Sequence, residues 1–120
     1  MPMTIIPKDK GYDVLPEKIA PTSYLEDIMD SEAAPAEQIS AGFYKQVAGE
    51  ELVYTYGFDE MKVVLEVKGD FTITDEVGTV TKPKRGDVYY FKKGCTITFK
   101  SEGEGAFGYF YYVGLKHKTA

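Results

Sequence analysis

The sequence predicts an all-β protein, a jelly-roll barrel preceded by an N-terminal arm that carries one short helix. From Ile39 onward, short runs of β-forming residues alternate with glycine-containing turn signals, which is typical of antiparallel sandwiches and barrels. No helical pattern long enough for a β-α-β crossover lies between these runs, so a doubly wound fold is excluded. The chain has 120 residues, which favours a single domain.

Residues 1–38 form the predicted arm, because prolines interrupt every stretch that could become a long regular element. Within the arm, Ser23 and Glu26 have the spacing of a helix capping box. Apolar residues recur at helical spacing just after Ser23. The pattern therefore predicts a short helix from about Tyr24 to Asp30, which either closes one mouth of the barrel or packs outside the sheet.

Residues 39–117 form the predicted barrel, whose turns contain glycine where a positive φ is tolerated. The eight predicted strands are 40–47, 51–57, 61–67, 71–75, 79–82, 87–91, 95–100 and 107–115. Side-chain alternation with a period of two assigns their faces. It places Leu52, Tyr54 and Tyr56 on one face of the second strand, with Phe58 just beyond its end on the same face. It also groups Cys95, Ile97 and Phe99 on one face of the seventh strand.

The last predicted strand is apolar on both faces. One face carries Phe107, Tyr109, Tyr111 and Val113, and the opposite face carries Phe110 and Tyr112. Such a strand needs a cover on each side, and the barrel interior supplies only one of them. For the outer face we expect a homodimer, with the N-terminal arm as the competing cover.

Composition excludes several classes of protein. The formal net charge is −5, from 14 basic and 19 acidic residues, which disfavours binding to nucleic acid. The single cysteine, Cys95, cannot form an internal disulfide, and no thiol or histidine cluster offers a structural zinc site. Apolar runs are far shorter than the roughly 20 residues that span a bilayer, and no signal peptide is visible. We expect a cytoplasmic protein that does not bind membranes.

Two segments resemble the sequence motifs of the cupin superfamily. The first ends in Val64-Leu65-Glu66 and is followed by Gly69, and the second runs from Lys84 to Gly94 as Lys-Arg-Gly-Asp-Val-Tyr-Tyr-Phe-Lys-Lys-Gly. The similarity covers about residues 40–114 and is greatest to the small EutQ-type cupins of ethanolamine utilisation. The arm around residues 23–28 also resembles the N-terminal segment of short fungal members. The resemblance implies a cupin-type double-stranded β-helix.

This sequence departs from the family pattern at the metal-ligand positions, so we expect no bound transition metal and no other cofactor. Metal-dependent cupins supply His-x-His-x-x-x-Glu from the first motif and a further histidine from the second. The corresponding positions here are Tyr54, Tyr56, Glu60 and Ile97. Neutral phenols are poor ligands for such metals and isoleucine is not a ligand. The one histidine, His117, is expected to be a solvated residue of the C-terminal tail.

The residues left at the barrel mouth suit acid–base chemistry next to a carbonyl group. Glu60 is the candidate general base or acid, with Lys62 on the same strand face to tune its pKa. Tyr54 and Tyr56 are candidate donors to a developing enolate or alkoxide. The set predicts a lyase or isomerase for a small-molecule substrate. The candidate substrate-binding residues are Tyr44, Phe58, Ile97, Phe99 and Tyr109.

Two alternatives stay open on the sequence. Alternation between Glu60 and Glu66, taken alone, turns the charged residues to solvent, whereas the geometry of the family turns Glu60 into the barrel. The alternative to an enzyme is a non-catalytic binding or accessory protein of the ethanolamine-utilisation kind, in which the tyrosines only pack. Cys95 is expected to be a small buried hydrophobic residue.

Overall fold

The computed structural model describes residues 3–116, which form a single antiparallel sheet of eight strands. The strands are β1 (Lys18–Ala20), β2 (Ser23–Asp30), β3 (Ile39–Val47), β4 (Leu52–Thr55), β5 (Glu60–Thr74), β6 (Val80–Thr81), β7 (Val88–Phe91) and β8 (Thr96–Leu115). One short 3₁₀ helix, Lys8–Lys10, precedes them. The predicted all-β class is confirmed.

The two longest strands, β5 and β8, form the central ribbon of the sheet. They pair from Glu60 opposite Gly114 to Thr74 opposite Thr98. β3 pairs with the second half of β8, whereas β4 pairs with its first half. The sheet order is β1-β2-β3-β8-β5-β6, with β7 also paired to β5. Because different partners flank the two halves of the ribbon, the sheet curls and encloses its inner face.

Two predicted turns are bends inside these long strands. The segments predicted as 61–67 and 71–75 are both parts of β5, and those predicted as 95–100 and 107–115 are joined in β8. Gly69 takes a φ of +77°, and the pairing register shifts between Lys68 and Asp70. A Cβ at Gly69 would lie 2.6 Å from the Cβ of Ala106, so the glycine also allows the close approach of the two strands. The sequence therefore predicted the positive φ of Gly69 correctly, but the prediction that the strand ends there was wrong.

The predicted helix at 24–30 is wrong, because this segment is strand β2. It pairs antiparallel with β3, from Ser23 opposite Gln46 to Asp30 opposite Ser40. The carboxylate of Glu26 accepts a hydrogen bond from the backbone N–H of Glu17 at 3.1 Å, outside any capping box. Pairing with the open edge of β3 outweighs the weak local preference for a helical turn. Residues 18–30 of the predicted arm thus extend the sheet.

Aromatic side chains fill the interior of the curled sheet. Tyr44 on β3 lies 5.4 Å from the ring of Phe99 and 5.7 Å from that of Phe110, measured between ring centroids. Phe110 also contacts Phe71 at 5.5 Å. These rings are almost fully buried, and they join both halves of the ribbon into one core.

The N-terminal segment covers part of the outer face of β8. The ring of Tyr12 lies 5.2 Å from that of Tyr109 and 6.0 Å from that of Phe43. The hydroxyl of Tyr109 donates to the backbone carbonyl of Tyr12 at 2.6 Å. The arm is therefore one cover of this face, and the homodimer stays a prediction for the part that it leaves exposed.

Candidate active site

A cavity of about 240 Å³ lies inside the curl of the sheet. Side chains from β1, β2, β3, β4, β5 and β8 line it, together with Tyr56 and Phe58 from the segment between β4 and β5. Glu60, Lys62 and Phe99 are buried at its floor, whereas Ile19 and Leu115 are exposed and mark its rim. The volume suits a small organic molecule, since it lies below the roughly 300–1,000 Å³ of drug-sized sites.

Glu60 and Lys62 form a buried ion pair at this floor. They are two residues apart on β5, so both side chains point to the same face of the strand. The Nζ of Lys62 lies 2.5 Å from Oε2 of Glu60, and the two residues are only 2% and 5% exposed. Met61 between them is 51% exposed. The structure therefore has the inward orientation that the family resemblance implies, and not the outward one favoured by alternation alone.

Three aromatic rings surround the ammonium of Lys62. Its Nζ lies 4.8 Å from the ring centroid of Tyr112, 5.1 Å from that of Tyr44 and 6.0 Å from that of Phe99. Rings at such distances attract a cation through their quadrupoles. Burial lowers the pKa of Lys62, while the charge of Glu60 opposes this change. The ammonium group is therefore buried among aromatic rings, with a carboxylate as its partner.

Tyr54 and Tyr56 present phenols close to this pair. Their rings meet edge to face at 4.7 Å, and Tyr56 stacks on Phe91 at 5.0 Å. Burial raises the pKa of Tyr56, and the negative charge of Glu60 raises it further. The same two causes raise the pKa of Tyr54. Both phenols therefore stay protonated at neutral pH and serve as hydrogen-bond donors.

Tyr44 gives the cavity its ring but not its hydroxyl. That hydroxyl donates to Oε1 of Gln46 and lies 3.4 Å from Oγ of Ser23. Gln46 in turn donates to the backbone carbonyl of Phe99 at 2.6 Å. Since burial also raises the pKa of Tyr44, this buried network fixes a neutral ring at the side of the cavity.

Seven of the nine predicted site residues line the cavity, and two do not. Ile97 belongs to the hydrophobic core, 4% exposed, and lines a separate groove beside Cys95. Cys95 itself is half-buried. Tyr109 points to the opposite face of β8, where it is hydrogen-bonded to Tyr12, and burial raises its pKa to about 12. Adjacent residues of a strand face opposite ways, so Phe110 and not Tyr109 shares the inner face.

Sequence reasoning missed a second polar pair that lines the cavity. The hydroxyl of Tyr112 donates to Oδ1 of Asp27 at 2.5 Å. Burial is the main cause that raises the pKa of Tyr112, and the hydrogen bond to Asp27 adds to it. Side-chain alternation places Tyr112 on the same face as Phe110, and this pattern could have identified Tyr112 as a residue of the cavity. Asp27 escaped notice because its segment was assigned to a helix.

The transition metal of metal-dependent cupins does not fit these residues. The phenols of Tyr54 and Tyr56 resist deprotonation, and Ile97 has no donor atom and lies outside the cavity. The carboxylate of Glu60 is already paired with an ammonium group. Within residues 3–116, no three histidine, cysteine or acidic side chains are grouped as metal ligands would be. His117 lies outside the described residues.

Comparison with solved structures identifies the fold. The ethanolamine utilization protein EutQ of Salmonella typhimurium LT2 is 28% identical, with a TM-score of 0.58 over 78% of this chain and 68% of its own. EutQ of Clostridium difficile is 22% identical, with a TM-score of 0.60 over 78% and 67%. A cupin with a double-stranded β-helix from Methanocaldococcus jannaschii is 16% identical, with a TM-score of 0.60 over 84% and 86%.

No protein-family model and no curated protein matches the sequence. Nor does any helix in residues 3–116 have the length and apolar character to cross a membrane. The motifs at residues 64–69 and 84–94 lie on β5 and on the segment that leads through β7. The chain therefore has the double-stranded β-helix fold of cupins, and it is similar to EutQ of Salmonella typhimurium at 28% identity.

Proposed function

We propose that the protein is a metal-independent enzyme that moves protons next to a carbonyl group, as a lyase, isomerase or cyclase does. The observation that carries this proposal is the buried pair of Glu60 and Lys62 at the floor of a tyrosine-lined cavity. Buried titratable groups in a cleft are typical of catalytic sites, because chemistry at neutral pH needs them.

Each polar group has a role that follows from its surroundings. Glu60 takes a proton from the carbon next to the carbonyl and returns it to another atom. The ammonium of Lys62 and the hydroxyls of Tyr54 and Tyr56 stabilise the negative charge that develops on the carbonyl oxygen. In a largely buried site, such fixed donors act more strongly than they would in bulk water.

The lining restricts the substrate. Leu25, Leu52, Phe58 and Phe99 give the cavity apolar walls, and its volume of about 240 Å³ admits only a small molecule. Lys62 is already neutralised by Glu60, so a strongly charged substrate has no spare partner at the floor. An uncharged, carbonyl-bearing compound fits best.

A non-catalytic role is the second candidate, in which the cavity holds a metabolite for another protein. The closed ion pair favours it, because two groups that satisfy each other need no substrate. The similarity to EutQ of Salmonella, at 28% identity, also supports this candidate, as an accessory role in ethanolamine utilisation. A measurement of catalytic turnover distinguishes the enzyme from the non-catalytic binding protein.

Hydrogen–deuterium exchange at the carbon next to a carbonyl tests the proposal without knowledge of the substrate. Acetophenone and cyclohexanone, two small ketones, are incubated with the protein in D₂O, and loss of the proton signal is followed by NMR. We expect exchange above the buffer rate, and a decrease of at least about 100-fold in Glu60→Gln, the lower range for a general base.

The matched control is Glu66→Gln, the same change at an exposed residue of the same strand. Its exchange rate should equal that of the unmodified protein. Equal rates for the unmodified protein and a folded Glu60→Gln variant would contradict the enzymatic role. If saturation-transfer NMR then showed that both still bind the ketones, the non-catalytic role would be favoured.

A further inference from the structure

We propose that Lys62 is a nucleophile whose Nζ forms an imine with the carbonyl carbon of an aldehyde or ketone in the cavity. The inference rests on the proposed function, because it takes the ligand to be a carbonyl compound. It narrows that class to compounds whose carbonyl carbon a primary amine can reach, and so excludes esters and amides as the reacting groups.

The position of the amine carries the inference. Lys62 lines the cavity but is only 2% exposed, so the cavity is the route by which a reactant meets its Nζ. The rings of Tyr112 and Tyr44, at 4.8 and 5.1 Å from Nζ, hold the side chain in place. Lysines that react with carbonyl groups are held in this way, desolvated in an apolar pocket.

The amine also has a partner that can remove its proton. A lysine is nucleophilic only when neutral, and burial lowers the pKa of Lys62 toward that state. The Oε2 of Glu60 lies 2.5 Å from Nζ, close enough for direct transfer. Among residues 3–116, Glu60 is the side chain that accepts a hydrogen bond from Lys62, so the other N–H groups can meet a carbonyl oxygen.

The reaction balances with these two residues and water as the product. Glu60 takes one proton from the Lys62 ammonium, and the amine lone pair then forms the C–N bond while the carbonyl π electrons move to oxygen. The oxygen takes the proton from Glu60, and Glu60 next removes a second proton from nitrogen. That proton returns to the hydroxyl group, which leaves as water as the C=N bond forms.

The product is an iminium ion with one remaining proton on nitrogen, still paired with the Glu60 carboxylate. Its positive charge replaces that of the ammonium, so the balance of charge at the cavity floor does not change. An iminium withdraws electrons from the neighbouring carbon more strongly than a carbonyl group does. In this route the iminium ion takes over the charge-stabilising role given above to the Lys62 ammonium, and it makes the proton transfer assigned to Glu60 easier.

Reductive trapping tests the inference on the unmodified protein. The protein is treated at neutral pH with sodium cyanoborohydride and either benzaldehyde or 2,2-dimethylpropanal, and modified lysines are located by peptide mass spectrometry. Lys8 and Lys82, whose side chains are 71% and 75% exposed, serve as internal references. A second sample, unfolded in urea, reports the reactivity of each lysine without the fold.

We expect Lys62 to be modified at least about tenfold more than either reference, because burial lowers its pKa and the carboxylate of Glu60 lies close enough to take its proton. In urea this preference should disappear. The inference is overturned if, with both aldehydes, Lys62 in the folded protein is modified no more than Lys8 and Lys82.

Neither aldehyde has a hydrogen on the carbon next to its carbonyl group. Trapping therefore does not depend on the proton transfer that ketone exchange measures, and either result can fail alone. Loss of trapping with exchange intact would leave the proposed function standing without an imine. Trapping without exchange would leave a carbonyl-binding lysine and remove the catalytic role of Glu60.

Discussion

Glu60 and Lys62 bring two charges into a site almost closed to water. Removing each charge from water costs several kcal/mol, and their attraction offsets this cost only while both are present. Separated by 2.5 Å and flanked by aromatic rings, the two residues depend on each other. Pairing therefore allows two charged side chains to lie in an apolar cavity, but the pair adds little to the free energy of unfolding.

This dependence has a measurable signature in a double-mutant cycle. Glu60→Leu alone and Lys62→Met alone should each lower the free energy of unfolding by about 3–5 kcal/mol, because each leaves an unpaired buried charge. The double variant should recover most of that loss, because it buries no charge. Urea unfolding followed by circular dichroism measures all four proteins. Additive losses in the double variant would contradict the pairing.

For single residues, the sequence predicted the members of the site more accurately than it predicted the face of the strand on which each side chain lies. Alternation from Glu60 onward is equally regular for both orientations of the strand, so it could not decide which face was inside. The motif resemblance decided it for Glu60. For Tyr109 no motif was available, and its aromatic character fitted an inner and an outer position equally well.

Among the elements, β2, β3 and β8 are brought together by a close approach at Gly42. In the sheet register Gly42 lies opposite Asp27 on one side and Tyr112 on the other. A Cβ at this position would lie 2.1 Å from the carbonyl oxygen of Glu26 and 2.5 Å from the Tyr112 hydroxyl. The missing side chain therefore leaves the space through which Tyr112 reaches Asp27.

We expect Gly42→Ala to lower the free energy of unfolding by about 1–3 kcal/mol or more, because the added methyl group overpacks this crossing. The control is Gly57→Ala, where a Cβ meets no atom within 4 Å. Thermal unfolding of both variants makes the comparison. A Gly42→Ala variant as stable as Gly57→Ala would show that β2 does not lie this close to β8.

Element boundaries were predicted well wherever a strand and its neighbour are separated by a true reversal of the chain. The predicted strand 40–47 differs from β3 by one residue at its start. The bend at Gly69 was read as a turn because local sequence reports a positive φ but not whether the chain continues in the same sheet. The error at residues 24–30 has a similar cause, since pairing with β3 is a contact between distant residues.

For the whole molecule, the outer face of the sheet near β7 raises the question of self-association. Met61 on β5 lies directly opposite Tyr90 on β7 and Val113 on β8, so the three side chains share this face. Val88 lies in the next row. Met61, Tyr90 and Val88 are 51%, 55% and 68% exposed, which is a cluster of apolar surface that water solvates poorly.

The predicted homodimer can be tested on this surface. If two copies associate through it, size-exclusion chromatography with light scattering should give twice the monomer mass of 13.4 kDa. Val88→Lys should then give a monomer, because a charge in the centre of an apolar interface is costly. The control, Val77→Lys, changes a residue that is 80% exposed in a turn and should remain dimeric. An unmodified protein that is monomeric would contradict the prediction.

The ribbon of β5 and β8 also has a consequence for how fast the molecule folds. Glu60 pairs with Gly114 and Thr74 with Thr98, so the chain between the two strands must close as a long loop before the ribbon forms. Closing such loops costs entropy before any contact repays it, and folds dominated by distant pairings form in roughly milliseconds to seconds. β4 gains its partner, and β3 gains its second partner, only after β8, the last of the eight described strands, has been synthesised. The cavity, which needs all of these strands, is thus completed at the end of folding.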